Sequence, residues 1–276
     1  MRGRAQRSGN SLRSVADASQ LDARPMATDF RPAALAVVAH RGASGVFPEN
    51  TAVAFQEAIR LDVDAIELDV HLTADGELLV IHDPTVDRTS DGEGPVADLS
   101  MAQIGELDAG SWFDARFAGE RLLTLPGALD LMPPAMVLNV HVKAGAEDRD
   151  IVVAKTVQEL VRRGLIETAF IASDEASLAV ARRVEPGLEI CNLSTQPTET
   201  YVDRSSAIGC RILQPANTQT DSDLVRRAHE SGMKVNPFYA DDEGEMRRLI
   251  GCGVDGILTN YPERLQELLA GLGRGE

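Results

Sequence analysis

The chain has 276 residues, 43% of them hydrophobic, and this length and composition permit one large α/β domain with a full apolar core. Its formal net charge of −16 disfavours a nucleic-acid partner, because a phosphate backbone repels an acidic surface. No apolar run reaches the roughly 18 residues that a membrane span needs, so integral membrane association is not expected.

Residues 1–33 are rich in Arg, Ser and Ala and have no sustained hydrophobic period, which predicts a disordered tail. Met26 is an alternative start within it. The basic N-terminus lacks the apolar stretch of a secretory signal, and Cys191, Cys210 and Cys252 have no metal-like spacing. These features favour a reducing, cytoplasmic location.

Strand-like and helix-like segments then alternate. In chain order, the pattern predicts a strand at Leu35–Ala39, a helix at Thr51–Leu61, and strands at Ala65–His71 and Glu77–His82. Asn50 is a plausible cap for the helix, and the Asp75-Gly76 turn indicates a hairpin between the last two strands. Residues 84–121 are glycine-rich and irregular, and we interpret them as an insertion after the third strand.

The alternation of strand-like and helix-like segments resumes after the insertion. The predicted segments are Leu125–Leu131, Ala135–Val142, Ile151–Arg163, Ala169–Ala172, Glu175–Val184, Leu188–Asn192, Arg211–Leu213, Ser222–Ser231, Lys234–Pro237, Glu245–Ile250, Gly256–Leu258 and Glu263–Ala270. Strands separated by helices of this length imply βα units and a parallel sheet. A strand count close to eight favours a (β/α)₈ TIM barrel over residues 34–276, and the lack of a GxGxxG after the first strand disfavours a dinucleotide-binding sheet.

Four of the five histidines lie at or near predicted strand ends. These are His40, His71, His82 and His141, whereas His229 lies on a predicted helix. The C-terminal ends of barrel strands form the active site of TIM-barrel enzymes, and histidine can give or take a proton near neutral pH. We therefore expect at least three of the four in one site.

Two carboxylates, Glu67 and Asp69, alternate with apolar residues on one predicted strand and so point to the same face. Like charges this close repel, and a bound divalent cation is the usual reason for such a pair. A pair of hydrogen-bonded carboxylates at a strand end is the alternative interpretation. On a later strand, VLNVHVK, the same alternation puts Asn139, His141 and Lys143 on one face.

The ordered motifs HRG…PENT, IE-x-DV, T-x-DG and HD-P resemble the glycerophosphodiester phosphodiesterase family, from Val37 to about Leu269. The resemblance implies a TIM barrel and metal-dependent hydrolysis of a small-molecule glycerophosphodiester to sn-glycerol 3-phosphate and an alcohol. It implies that His40 and His82 share the general acid and base roles. It also implies that Arg41 and Lys143 are cations that face the substrate phosphate.

In the same resemblance, Glu67 and Asp69 match metal-binding carboxylates. His141 stands where the family usually has a third carboxylate ligand, a glutamate, so we predict that the metal ligands are Glu67, Asp69 and His141. The expected cofactor is a divalent ion, Mg²⁺, Ca²⁺ or Mn²⁺, and an imidazole ligand favours a transition metal over Ca²⁺. A substrate contact by His141, or a weakened metal site, are the alternatives.

The C-terminal part of the chain departs further from the family. Phe238 stands where a tryptophan is usual, and it either presents an apolar face to the substrate or packs in the core. Asp241 and Asn260 replace a usual asparagine and aspartate. Rival functions are a phospholipase of the sphingomyelinase D or lysophospholipase D type and a non-catalytic phosphate-binding barrel. The HD-P turn and the insertion favour the phosphodiesterase.

Overall fold

The computed structural model describes residues 35–193 and 198–273, so the predicted tail, residues 1–33 with Met26, lies outside them. Within these ranges the strands are β1 (Ala36–His40), β2 (Ala65–Leu72), β3 (Leu78–Val80), β4 (Leu123–Thr124), β5 (Val137–Val142), β6 (Ala169–Ser173), β7 (Glu189–Asn192), β8 (Ile212–Leu213), β9 (Lys234–Val235) and β10 (Gly256–Thr259). The helices are α1 (Ala52–Arg60), α2 (Met101–Ile104), α3 (Leu125–Leu131), α4 (Arg149–Arg162), α5 (Glu175–Val184), α6 (Thr198–Ala207), α7 (Ser222–Glu230), α8 (Glu243–Cys252) and α9 (Pro262–Leu272).

Eight of the described strands form a parallel sheet in the order β10-β1-β2-β5-β6-β7-β8-β9. Two backbone hydrogen bonds join its first and last strands. Asp255 N donates to Val235 O at 2.9 Å, and Leu258 N donates to Pro237 O at 3.1 Å. The sheet is thus a closed TIM barrel, as the sequence predicts.

Side chains alternate along β2 as the sequence requires. Ile66, Leu68 and Val70 are fully buried in the large apolar core between the sheet and the helices. Glu67 and Asp69 lie on the opposite, inner face, and their register partners on β5 are Asn139 and His141. The predicted common face of the two carboxylates is confirmed, and the β2–β5 register brings a second polar face beside it.

A hairpin after β2 returns the chain to the mouth of the barrel. β3 runs antiparallel to β2, with Val70 opposite Val80, and Ile81 N donates to Asp69 O at 3.2 Å. His82 therefore reaches the level of the C-terminal ends of the barrel strands, although β3 is outside the parallel ring. The residues that follow pack around a separate apolar cluster formed by Leu79, Ile81, Val86, Val96, Ile104, Ala109 and Leu122.

Several local features differ from those that the sequence predicts. Helix α6 was not predicted, because its sequence TETYVDRSSA is mostly polar, and Tyr201 and Val202 supply buried apolar side chains. Asn50 does not cap α1: Thr51 is the N-cap residue, and Asn50 has a φ of 58°. Strands β8 and β9 are also shorter than predicted, with two residues each.

Candidate active site

A cavity of about 350 Å³ opens at the C-terminal ends of the strands, and we call it the mouth cavity. Seven of the eight predicted site residues line it: His40, Arg41, Glu67, His82, His141, Lys143 and Phe238. The eighth, Asp69, is buried at 1% exposure behind them, within 3.3 Å of Arg41 and 3.1 Å of Lys143. Strands and loops distant in the sequence thus bring all eight together.

His40 ends β1, and its ring orientation is fixed by residues that follow β9 and β10. Its Nδ1 lies 2.7 Å from Asn260 Oδ1, and the Asn260 amide group donates to Asp241 Oδ2 at 2.6 Å. Because an amide oxygen only accepts, Nδ1 must carry the proton, which leaves a lone pair on Nε2. Tyr239 stacks on the imidazole with 5.0 Å between ring centroids.

Burial, followed by the charge of Arg41, lowers the pKa of His40 to about 4. The hydrogen bond to Asn260 opposes this shift. A neutral amide stabilises an imidazolium less than a carboxylate does, so the ring remains neutral well below pH 7. His40 is consequently suited to accept a proton.

The turn after β1 brings the backbone N of Arg41 into contact with Glu67 and its side chain into contact with Asp69. Arg41 has a φ of 56°, and its backbone N donates to Glu67 Oε2 at 3.0 Å. Gly42 follows with a φ of 81°, and a Cβ there would meet Ala54 C at 2.6 Å. The turn therefore requires glycine at position 42.

The guanidinium of Arg41 connects two acidic side chains. Its Nη1 donates to Glu49 Oε1 at 2.9 Å, and its Nε lies 3.3 Å from Asp69 Oδ2. Asn50 donates to the same Asp69 oxygen at 3.1 Å, so it braces the buried carboxylate instead of a helix. Arg41 and Lys143 thus supply two cationic side chains at the mouth of this acidic protein, with Glu49 and Asp69 as their carboxylate partners.

Glu67, Asp69 and His141 each offer one ligand atom, and these atoms all lie within 4.8 Å of one another. His141 Nδ1 is 3.2 Å from Asp69 Oδ1. Asp69 Oδ1 is buried without a hydrogen bond, although Lys143 Nζ lies 3.1 Å away. Two carboxylates and an imidazole on neighbouring strands fit a divalent cation with mixed oxygen and nitrogen ligands.

The two carboxylates respond differently to burial. Burial, and then the charge of Asp69, raises the pKa of Glu67 to about 8. Burial also opposes ionisation of Asp69, but the close contact with His141 and the charge of Lys143 hold its pKa well below the usual range. Burial lowers the pKa of His141, which keeps its nitrogens available as ligands. Glu67 is the member of the group that needs additional positive charge to ionise.

His82 has a different partner from His40. Its Nδ1 lies 2.6 Å from Asp83 Oδ1, and because a carboxylate only accepts, Nδ1 carries the proton. Hydrogen bonds from Arg88 and His82 hold the pKa of Asp83 well below its usual range. The Asp83 carboxylate fixes the tautomer of the ring, so Nε2 is the atom of His82 that can exchange a proton with a ligand.

A second, more open groove of about 630 Å³ adjoins the mouth cavity, and we call it the side groove. His82, His141 and Lys143 line both spaces. His71 lines the side groove, and its Nε2 lies 3.0 Å from His82 O. The expected grouping of at least three histidines is therefore observed, while His229 pairs with Asp255 on another part of the barrel.

The fold and this arrangement define a TIM-barrel hydrolase whose mouth has acid–base and cationic groups for an anionic substrate. The model of the glycerophosphoryl diester phosphodiesterase family matches residues 40–264, and the chain belongs to that family.

Individual relatives support the assignment. The glycerophosphodiester phosphodiesterase of Caldanaerobacter subterraneus subsp. tengcongensis is 38% identical over 235 residues, which cover 84% of this chain and 97% of the relative. The glycerophosphodiester phosphodiesterase of Bacillus subtilis is 30% identical over 261 residues, which cover 87% of this chain and 88% of the relative. A solved phosphodiesterase of Oleispira antarctica, in complex with the product sn-glycerol 3-phosphate, aligns with a TM-score of 0.79 and 27% identity, covering 85% of this chain and 96% of that one.

Sequence reasoning missed several residues of the site. Tyr239, Gln214 and Leu193 line the mouth cavity, but no pattern in the sequence distinguishes them from core positions. Arg88 was also missed, although it follows the HD-P motif by only a few residues and binds Asp83. Charge complementarity between Asp83 and a nearby arginine was the one available signal.

Proposed function

We propose that this protein hydrolyses glycerophosphodiesters to sn-glycerol 3-phosphate and an alcohol, with His40 and His82 as its proton-transfer groups. The observation that carries the proposal is the pairing of these two histidines with different partners around one cavity. A neutral amide lies behind His40 and an ionised carboxylate behind His82. Hydrolysis of a phosphodiester needs one group of each kind.

In this proposal His40 is the general base and His82 the general acid. His40 Nε2 takes the proton of the attacking group, a glycerol hydroxyl or water, while His82 Nε2 gives a proton to the departing alkoxide oxygen. If the glycerol hydroxyl attacks, the first product is a cyclic glycerol phosphate, and water opens this ring to sn-glycerol 3-phosphate in a second step in which the two histidines exchange roles. The low pKa of His40 supports the base role, because the ring is unprotonated at neutral pH. The Asp83 carboxylate supports the acid role.

Arg41 and Lys143 are proposed to bind the phosphate, and Phe238 to contact the glycerol side of the substrate. Arg41 and Lys143 line the cavity beside the histidines, and both are held by Asp69. Phe238 is 38% exposed at the rim, which favours the substrate contact over core packing. An arginine and a lysine together can offset the charge of a phosphodiester.

Glu67, Asp69 and His141 would hold the divalent cation. When bound, such an ion polarises the phosphoryl oxygens and offsets the charge that develops on them. We propose Mn²⁺ or another transition metal ahead of Ca²⁺, because one of the three ligands is an imidazole nitrogen. Mg²⁺ and Ca²⁺ remain the competing ions in the test.

The proposal is tested with a panel of glycerophosphodiesters, a lysophospholipid and assay of released sn-glycerol 3-phosphate, in parallel with metal analysis of the purified protein. Release of sn-glycerol 3-phosphate from the deacylated diesters is expected. Preferential cleavage of the lysophospholipid would favour the lysophospholipase D alternative, and no turnover of any diester would favour a binding barrel.

A substrate with a p-nitrophenol leaving group separates the two histidine roles. This leaving group needs no proton, so His82→Ala should lose much less activity on it than on an alkyl diester. His40→Ala should lose activity on both substrates. Equal losses for both variants on both substrates would contradict the division of roles.

The proposed partner is a small-molecule phosphodiester. Among the described residues, the structure has no helix with the length and apolarity to span a membrane. The cytoplasmic location expected from the sequence stays a prediction, which fractionation of cells that produce the protein would test.

A further inference from the structure

Arg88, in the predicted insertion, bridges two acidic side chains at the edge of the mouth cavity. It donates to Asp83 from Nε at 2.6 Å and from Nη2 at 3.1 Å. It also donates to Glu49 from Nη1 and Nη2, each at 2.8 Å. Forked contacts of this kind are the strongest that a guanidinium makes, and a lysine cannot reproduce two of them.

Each of these carboxylates holds a residue of the proposed reaction. Asp83 Oδ1 lies 2.6 Å from His82 Nδ1, and Glu49 Oε1 accepts from Arg41 Nη1 at 2.9 Å. A continuous path of charged contacts therefore joins His82 to Arg41 through Arg88. Arg88 itself is not among the described residues that line the mouth cavity, so it acts on the cavity only through this path.

The backbone around Arg88 is well fixed. Thr85 and Pro95 form a bridge at the base of its loop, and Gly94 N donates to Asp87 Oδ2 at 3.0 Å. The guanidinium is consequently presented from an anchored loop. Without it, Asp83 and Glu49 would be two carboxylates with no cation between them, and Glu49 would be left with Arg41 as its partner.

We propose that Arg88 is a positioning residue for hydrolysis, which fixes the proton-donating His82 relative to the phosphate-binding Arg41. This inference rests on the proposed function of the site. The predicted insertion then contributes to the catalytic centre, because it supplies the guanidinium of Arg88 that binds both Asp83 and Glu49.

The test compares Arg88→Met, Arg88→Lys and the control Arg60→Met by steady-state kinetics. Arg60 forms an equally forked pair with Glu57 at the C-terminal end of α1, at 2.7 and 2.8 Å, and it lines neither the mouth cavity nor the side groove. We expect Arg88→Met to lower kcat by about 10- to 100-fold, the usual effect of losing an outer hydrogen-bond partner. Arg88→Lys should recover part of the loss, since it keeps the charge but not both forks, and Arg60→Met should match the parent.

Chemical rescue separates positioning from folding. Ethylguanidinium added to Arg88→Ala should restore part of kcat, and it should restore nothing in His82→Ala. The proposal is overturned if Arg88→Met keeps the parent kcat, or if its loss follows the fall in melting temperature and ethylguanidinium has no effect on Arg88→Ala.

Failure of the proposed function has a separate signature. A parent protein that turns over no diester would refute hydrolysis but not the bridge. Binding of sn-glycerol 3-phosphate would then test Arg88, since Arg88→Met should weaken it several-fold by letting Glu49 draw Arg41 away from the phosphate. Equal dissociation constants for parent and variant would refute the bridge.

Discussion

Binding of a divalent cation should release a proton from Glu67. Burial and the charge of Asp69 raise the pKa of this carboxyl to about 8, so at pH 7 most of the molecules carry a proton there. A cation bound by the carboxylate requires the ionised form. Binding of Mn²⁺ at pH 7 should therefore release close to one proton, and at pH 9.5 it should release almost none.

The raised pKa of Glu67 also sets how the affinity of the site for the cation depends on pH. Below pH 8 the protonated carboxyl competes with the cation, so each unit of acidification should weaken binding by about tenfold, or about 1.4 kcal/mol. Above pH 8 the affinity should become independent of pH. The sign follows from the raised pKa: a carboxyl with an ordinary pKa would be ionised throughout this range and would give a flat profile.

Titration calorimetry in two buffers of different ionisation enthalpy measures the number of protons released. Glu67→Gln should bind Mn²⁺ more weakly and release no proton. The control, His141→Asn, should also bind more weakly but release as many protons as the parent, because His141 is not among the causes of the Glu67 shift. A proton count near zero for the parent at pH 7, or an unchanged count in Glu67→Gln, would refute the reasoning.

Three further predictions concern the rest of the chain. His40→Ala and His82→Ala should each lower kcat by roughly 10²–10⁴-fold while far-ultraviolet circular dichroism and melting temperature stay near those of the parent; near-normal kcat would remove that histidine from the reaction. His141→Glu should shift the preferred ion toward Mg²⁺ or Ca²⁺ in activity assays with a series of metals, and an unchanged profile would indicate a substrate contact instead. Deletion of Met1–Pro25 should change neither kcat nor melting temperature, since the sequence of this segment offers no periodic apolar face, and a large fall in either would contradict this.

The barrel and most of its site were predictable because they depend on alternation along strands. Alternation alone puts Glu67 and Asp69 on one face, and the repeated strand–helix pattern predicts a parallel barrel whose strand ends meet. A histidine that ends a strand, such as His40, must then lie at the mouth. These inferences need no knowledge of the path of any loop.

Contacts made by loops were not predictable in the same way. Asn50 was expected to cap a helix, but the left-handed backbone at this position turns its amide toward Asp69. Arg88 reaches Glu49 across 39 positions of the sequence, and this depends on how the insertion folds back. Helix α6 was missed because its formation depends on packing against neighbouring elements more than on an apolar stripe.

The hydrogen bond between His40 and Asn260 joins residues 220 positions apart, and it spans almost the whole described chain. Strand β1 likewise has β10 as one of its two neighbours. During synthesis β1 therefore cannot pair with β10, and the barrel cannot close, until β10 has left the ribosome. The growing chain can already hold β2 beside β5, yet the imidazole of His40 acquires its orientation only when Asn260 is in place. A nascent chain whose Asn260 has not yet left the ribosome lacks the hydrogen bond that orients His40, and we expect it to be inactive.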